Sequence, residues 1–112
     1  MRSLRHSIIK GGLVRLPVRG MFLMLIIALA ACAAPPVQEM SDARQAITVA
    51  RQAGAETWAA RELREAEAYL ASAEYQLEQR EFARARFDAR AAKNSALQAL
   101  SVSERANNKT RD

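Results

Sequence analysis

The chain has 112 residues, 50% of them hydrophobic and only 5% aromatic, which allows one small domain and argues against two. Its formal charge of +5 is misleading: Arg2, Arg5, Lys10, Arg15 and Arg19 lie in an acid-free opening stretch, and the remaining 12 basic residues are matched by 12 acidic ones. A chain that is neutral beyond its opening lacks the basic footprint of a nucleic-acid binder, and one cysteine rules out an intrachain disulfide and a one-chain cysteine zinc site.

Residues 1–20 are basic, and residues 21–31 form an unbroken apolar run, MFLMLIIALAA. As a helix that run spans roughly 16 Å, about half of a bilayer core, too short for a permanent membrane span. A basic stretch, a short apolar run and then small residues instead predict a removable export signal over residues 1–31. The run closes on Leu29, Ala30, Ala31 and Cys32, followed by Ala33-Ala34-Pro35-Pro36. This resembles a bacterial lipobox. The small residues admit a signal peptidase that cleaves between Ala31 and Cys32, and the Cys32 thiol takes a thioether-linked diacylglycerol. Buried acyl chains contribute about 0.8 kcal/mol per CH₂; one chain holds marginally, and three form a permanent anchor. In bacteria that sort lipoproteins by the residue after the cysteine, Asp there means retention at the inner membrane. Ala33, by resemblance to that rule, implies the outer membrane, facing the periplasm.

Residues 32–38 read as the lipidated cysteine and a short Pro-containing tether, 39–106 as a helical domain and 107–112 as a frayed polar tail. From Cys32 to Asp112 there are 21 alanines, and Arg, Glu, Gln and Leu make up much of the rest, so strong helix formers dominate and no stretch alternates with a strand period. Ser41-Asp42, or residues just before, cap a first helix running to about Ala53, with Gly54 as its stop. Thr57 caps the next helix, where Ala59, Leu63, Ala66, Leu70, Ala73 and Leu77 form one apolar stripe. The stripe breaks at Gln79-Arg80-Glu81 and resumes as Phe82, Ala85, Ala89, Ala92, Ala96, Ala99 and Ser103.

The expected fold is therefore all-α, without strands: a short first helix packed on a long antiparallel hairpin, with arms near 57–79 and 82–106. The alternative is one helix over 57–106, about 75 Å long and buried by self-association. The five-residue step from Leu77 to Phe82 does not fit a heptad and favours the turn. The core is expected to rest on Ile47, Val49, Trp58, Leu63, Tyr69, Leu70, Tyr75, Leu77, Phe82, Phe87, Leu97 and Leu100, and to be thin.

Cys32 with its Ala-Pro-rich start, Ala53-Gly54-Ala55, the segment Ala60-Arg61-Glu62-Leu63-Arg64-Glu65-Ala66-Glu67-Ala68-Tyr69-Leu70, and Glu81-Phe82-Ala83-Arg84-Ala85 resemble small proteobacterial lipoproteins of the domain of unknown function 4398 family. The resemblance implies a helical envelope protein whose biochemical role is not established. The second half is also similar to a tetratricopeptide hairpin through Tyr69, Phe82, Ala85 and Ala92. It lacks that repeat's glycine before the turn aromatic and has Gln76 where the repeat has an aromatic.

Three constellations have a sharp and a bland reading. Trp58, Tyr69 and Tyr75 are a ligand platform or, better, packing residues. Arg80, Arg84, Arg86 and Arg90 are a candidate surface for anionic lipid or carboxylates, set among Glu78, Glu81 and Asp88 as a solvated mixed face. Glu62, Glu65, Glu74 and Glu78 are paired acid–base carboxylates or, better, exposed helix charges. The one histidine, His6, lies in the leader, and no metal cluster or phosphate loop is present in the sequence. The expectation is a non-enzymatic lipoprotein with no cofactor beyond the covalent lipid on Cys32. It touches the membrane through its anchor and either docks an envelope protein or self-associates as a spacer between outer membrane and cell wall; it does not bind nucleic acid.

Overall fold

The computed structural model describes residues 18–28 and 34–112. The boundary between its two compact units falls between Ala34 and Pro35. In the first unit, residues 18–28 are helical and the side chains from Met21 to Ile27 are all exposed. No helix among the described residues is long and apolar enough to cross a membrane. Leu29, Ala30, Ala31 and Cys32 lie outside the described residues.

The second unit is all-α, and its described residues contain no strand. Four helices follow one another: α1 (Val37–Gln52), α2 (Ala55–Trp58), α3 (Ala60–Glu78) and α4 (Phe82–Arg111). The Arg86 guanidinium meets Glu39 near the start of α1, and Asn107 meets Ala53 just after its end, so α1 and α4 run parallel. Arg44 meets Glu74 and Arg51 meets Glu67, so α1 runs antiparallel to α3. The result is a short first helix laid along an antiparallel hairpin.

Several element ends differ from those expected. α1 starts after Pro36, a full turn before Ser41-Asp42, so Val37 and Gln38 are helix rather than tether. Proline opens a helix without penalty because its missing N–H has no helical partner there. The added turn buries Met40 against Ala73 and Ala89, while Asp42 accepts a bond from Gln38 Nε2 at 2.8 Å. Thr57 does not cap α3. It sits in the single turn of α2, and non-helical Ala59 (φ −143°, ψ 45°) separates α2 from α3; Ala55 and Ala59 are both buried. The tail expected to fray is helical to Arg111. Asn107 Nδ2 donates to Ala53 O at 2.9 Å, and Lys109 and Arg111 complement the dipole of the last turn.

Two of the three connections use the left-handed region. Gly54 (φ 88°) ends α1, and its N–H donates to Arg51 O. After α3 the chain closes a Schellman turn: Arg80 N–H donates to Leu77 O at 3.0 Å and Glu81 N–H to Gln76 O at 2.9 Å. The left-handed residue of this turn is Arg80 (φ 59°), not glycine.

The core is built from alanine. Ala85, Ala89, Ala92, Ala96, Ala99 and Ser103 form the buried stripe of α4; they face Ala66 and Ala73 of α3 and Ala43, Ala46 and Ala50 of α1. Ser103 Oγ is satisfied by Ala99 O at 2.8 Å. Ile47 and Leu63 are buried as expected, and Leu70, Leu100 and Val102 pack at the margin. Val49, Trp58, Tyr75, Phe87 and Leu97 are not core: they are 38–72% exposed. Helices that approach through alanine leave no depth for large side chains between them.

Candidate interaction surface

The four arginines expected to form one cluster are divided by the fold. Arg80 is exposed at the α3–α4 turn. Arg84, one turn into α4, holds Glu81 at 3.5 Å and remains 77% exposed. Arg86 points the other way. Its Nε donates to Glu39 Oε1 at 3.1 Å, with both side chains largely covered, and Arg90 reaches the same carboxylate at 3.6 Å. Arg86 and Arg90 therefore fasten α1, whereas Arg80 and Arg84 are presented outward.

This division is part of a larger pattern. One edge of α1 is acidic and faces the basic edge of α4: Glu39 meets Arg86 and Arg90, and Asp42 meets Lys93 at 3.5 Å. The other edge is basic and faces acids on α3: Arg44 meets Glu74 at 3.1 Å, and Arg51 pairs with Glu67. The two charged edges flank the alanine face of α1, so each reinforces one register. Two shallow surface grooves run beside α1. One, of about 350 Å³, has Ile47, Leu70 and Ala71 as its floor and the Arg44–Glu74 and Arg51–Glu67 pairs along its sides. The other, of about 260 Å³, lies between α1 and α4 and exposes parts of Val49 and Leu97.

A third polar group joins the hairpin arms near their turn. Asp88 Oδ2 accepts from Ser72 Oγ at 2.7 Å and from Gln76 Nε2 at 2.8 Å. Gln76 Oε1 is left without a partner. Glutamine thus supplies a donor to Asp88 at a position where the tetratricopeptide pattern has an aromatic.

The carboxylates considered for acid–base work lie on helix surfaces in separate pairings. Glu74 is held by Arg44 and Glu78 is exposed. The adjacent Arg61 guanidinium donates to Glu62 at 2.9 Å and draws its carboxyl below the ordinary range. The same bond, with the charge of Glu62, raises Arg61 above its ordinary value. Among the described residues no three of His, Cys, Asp and Glu converge into a metal-binding group. Trp58, Tyr69 and Tyr75 do not form a platform. Trp58 covers Gly54 at one end of the bundle, and Tyr75 is 65% exposed near the other.

Comparison with protein-family models, with curated proteins and with solved structures finds no match to this chain.

Proposed function

We propose that the chain is a lipid-anchored helical protein of the bacterial outer membrane, facing the periplasm, that acts as an accessory or adaptor through protein–protein contact and not through catalysis. The observation that carries this reading is the sequence Leu29-Ala30-Ala31-Cys32 at the end of an apolar run, immediately ahead of a compact unit that begins at Pro35. That placement leaves the cysteine clear of the folded unit's own sequence. The resemblance to the domain of unknown function 4398 lipoproteins implies the same envelope location, and the all-α helix-on-hairpin unit offers helix faces and no strand edge among its described residues for a partner to dock on.

The test is acyl labelling and mass spectrometry of the full chain made in a Gram-negative bacterium. A diacylglycerol thioether on Cys32 and recovery with the outer membrane are expected, and both are lost in Cys32→Ser. A wild-type chain recovered free of membrane with an unmodified thiol would overturn the reading. The second reading, a self-associating spacer, draws on the half-exposed Val49 and Leu97 beside the α1–α4 groove.

A further inference from the structure

The three most exposed large apolar side chains of the helical unit gather at one end of it. Val37 is 71% exposed, Tyr75 65% and Phe87 72%. Ser72 and Gln76 both reach Asp88, which sets Tyr75 and Phe87 at the same level of the hairpin; the Glu39–Arg86 pair brings Val37 within about one helical turn of them. The α3–α4 turn lies at this same end. There Arg80 makes no side-chain bond among the described residues, Arg84 is mostly exposed, and Glu78 is exposed beside them. The opposite end carries Gly54 and the one tryptophan, Trp58.

The chain enters the bundle at this turn end. Cys32 precedes Pro36 by four positions, and four fully extended steps of the chain reach at most about 14 Å. Pro36 is itself buried, so the reach starts from the body of the bundle. An acyl anchor on Cys32 therefore holds the turn end, and not the Trp58 end, beside the lipid.

From these observations we infer that the turn end is a seat for the phospholipid headgroup layer that holds the anchor, with Arg80 and Arg84 on the phosphates and Phe87, Tyr75 and Val37 leaning into the interface. The inference rests on the lipoprotein reading above. The charges fit a zwitterionic surface: guanidinium groups meet phosphates, and Glu78 meets ammonium groups, with little net charge at the seat. Aromatic rings favour this depth because one part of the layer is apolar and the other is wet. The bundle then stands on its turn end, with Trp58 about 25 Å farther from the lipid, the length of some 17 helical residues.

The lone tryptophan makes the orientation measurable. The full chain, purified in its lipidated form, is reconstituted into phosphatidylethanolamine–phosphatidylcholine vesicles doped with a headgroup-nitroxide lipid. Mass spectrometry first reports the lipid on Cys32. Native Trp58 fluorescence should be hardly quenched, whereas W58F combined with F87W should be quenched severalfold more. Adding R80E and R84E to that variant should bring its quenching down toward the Trp58 level. Equal quenching at the two positions would overturn the proposal, as would quenching that ignores the arginine changes, because the tether alone would then explain it. A Cys32 free of lipid would overturn the anchoring itself, and the seat with it.

Discussion

Arg80 occupies the one position of the α3–α4 turn where glycine is the unstrained choice. A side chain in the left-handed region costs roughly 1–2 kcal/mol. Arg80→Gly should therefore raise stability by about 1 kcal/mol, less what glycine loses in the unfolded chain, read as a higher urea midpoint at unchanged slope. At Gly54 the sign reverses: an added Cβ would face Trp58 Cδ1 at 3.3 Å at φ 88°, so Gly54→Ala should destabilise. The alanine contacts are equally demanding. Ala89→Leu or Ala96→Leu should cost about 1–3 kcal/mol or more through overpacking, which in so thin a core approaches unfolding. Met40→Ala should cost about 2–5 kcal/mol, because Met40 is the largest fully buried side chain of the unit.

At the scale of the element, α1 is attached differently from the hairpin arms. It packs more extensively on α4 than on α3, and ion pairs line both of its edges. Exposed ion pairs contribute at most about 1 kcal/mol each and weaken with salt. The less exposed Arg86–Glu39 bond should contribute more, and Arg86→Met should cost roughly 1–3 kcal/mol. Amide hydrogen exchange should find α1 the least protected long helix of the bundle, and protection there should fall in high salt while α3 and the facing part of α4 change little.

The sequence made some of these elements readable and hid others for definite reasons. The Gly54 stop is visible because only glycine adopts φ 88° cheaply. The hairpin is visible through the register break from Leu77 to Phe82, although the turn residue itself is an arginine. The alanine stripe of α4 is visible as period; what misled was residue type. Phe87 falls between Ala85 and Ala89 and therefore opposite the stripe, yet its size argued for the core. Met40 is not legible as core because a cap at Ser41-Asp42, or just before, leaves it outside the apolar face of the first helix, which in fact begins at Val37. The division of the arginine cluster was not legible: Arg86 turns inward only because α1 lies parallel to α4, a tertiary choice that no local pattern records.

At the scale of the whole helical unit, the turn at Arg80 folds a segment that would span about 75 Å as one helix into a body whose longest helix, α4, is about 45 Å. Light scattering of residues 33–112 should give the mass of one chain if the adaptor reading is right. Small-angle scattering should give a longest dimension near the length of α4. A rod-like dimer or trimer would bring the spacer reading forward.

The parallel course of α1 and α4 also has a mechanical consequence. Tension applied through Pro36 and through the far end of α4 would pull the two helices lengthwise past each other, loading their whole contact at once. An α1 antiparallel to α4 would instead be peeled off turn by turn. The sequential connection through Gly54 thus places α1 in shear, the geometry in which even an interface of alanines and surface ion pairs yields all together rather than one contact at a time.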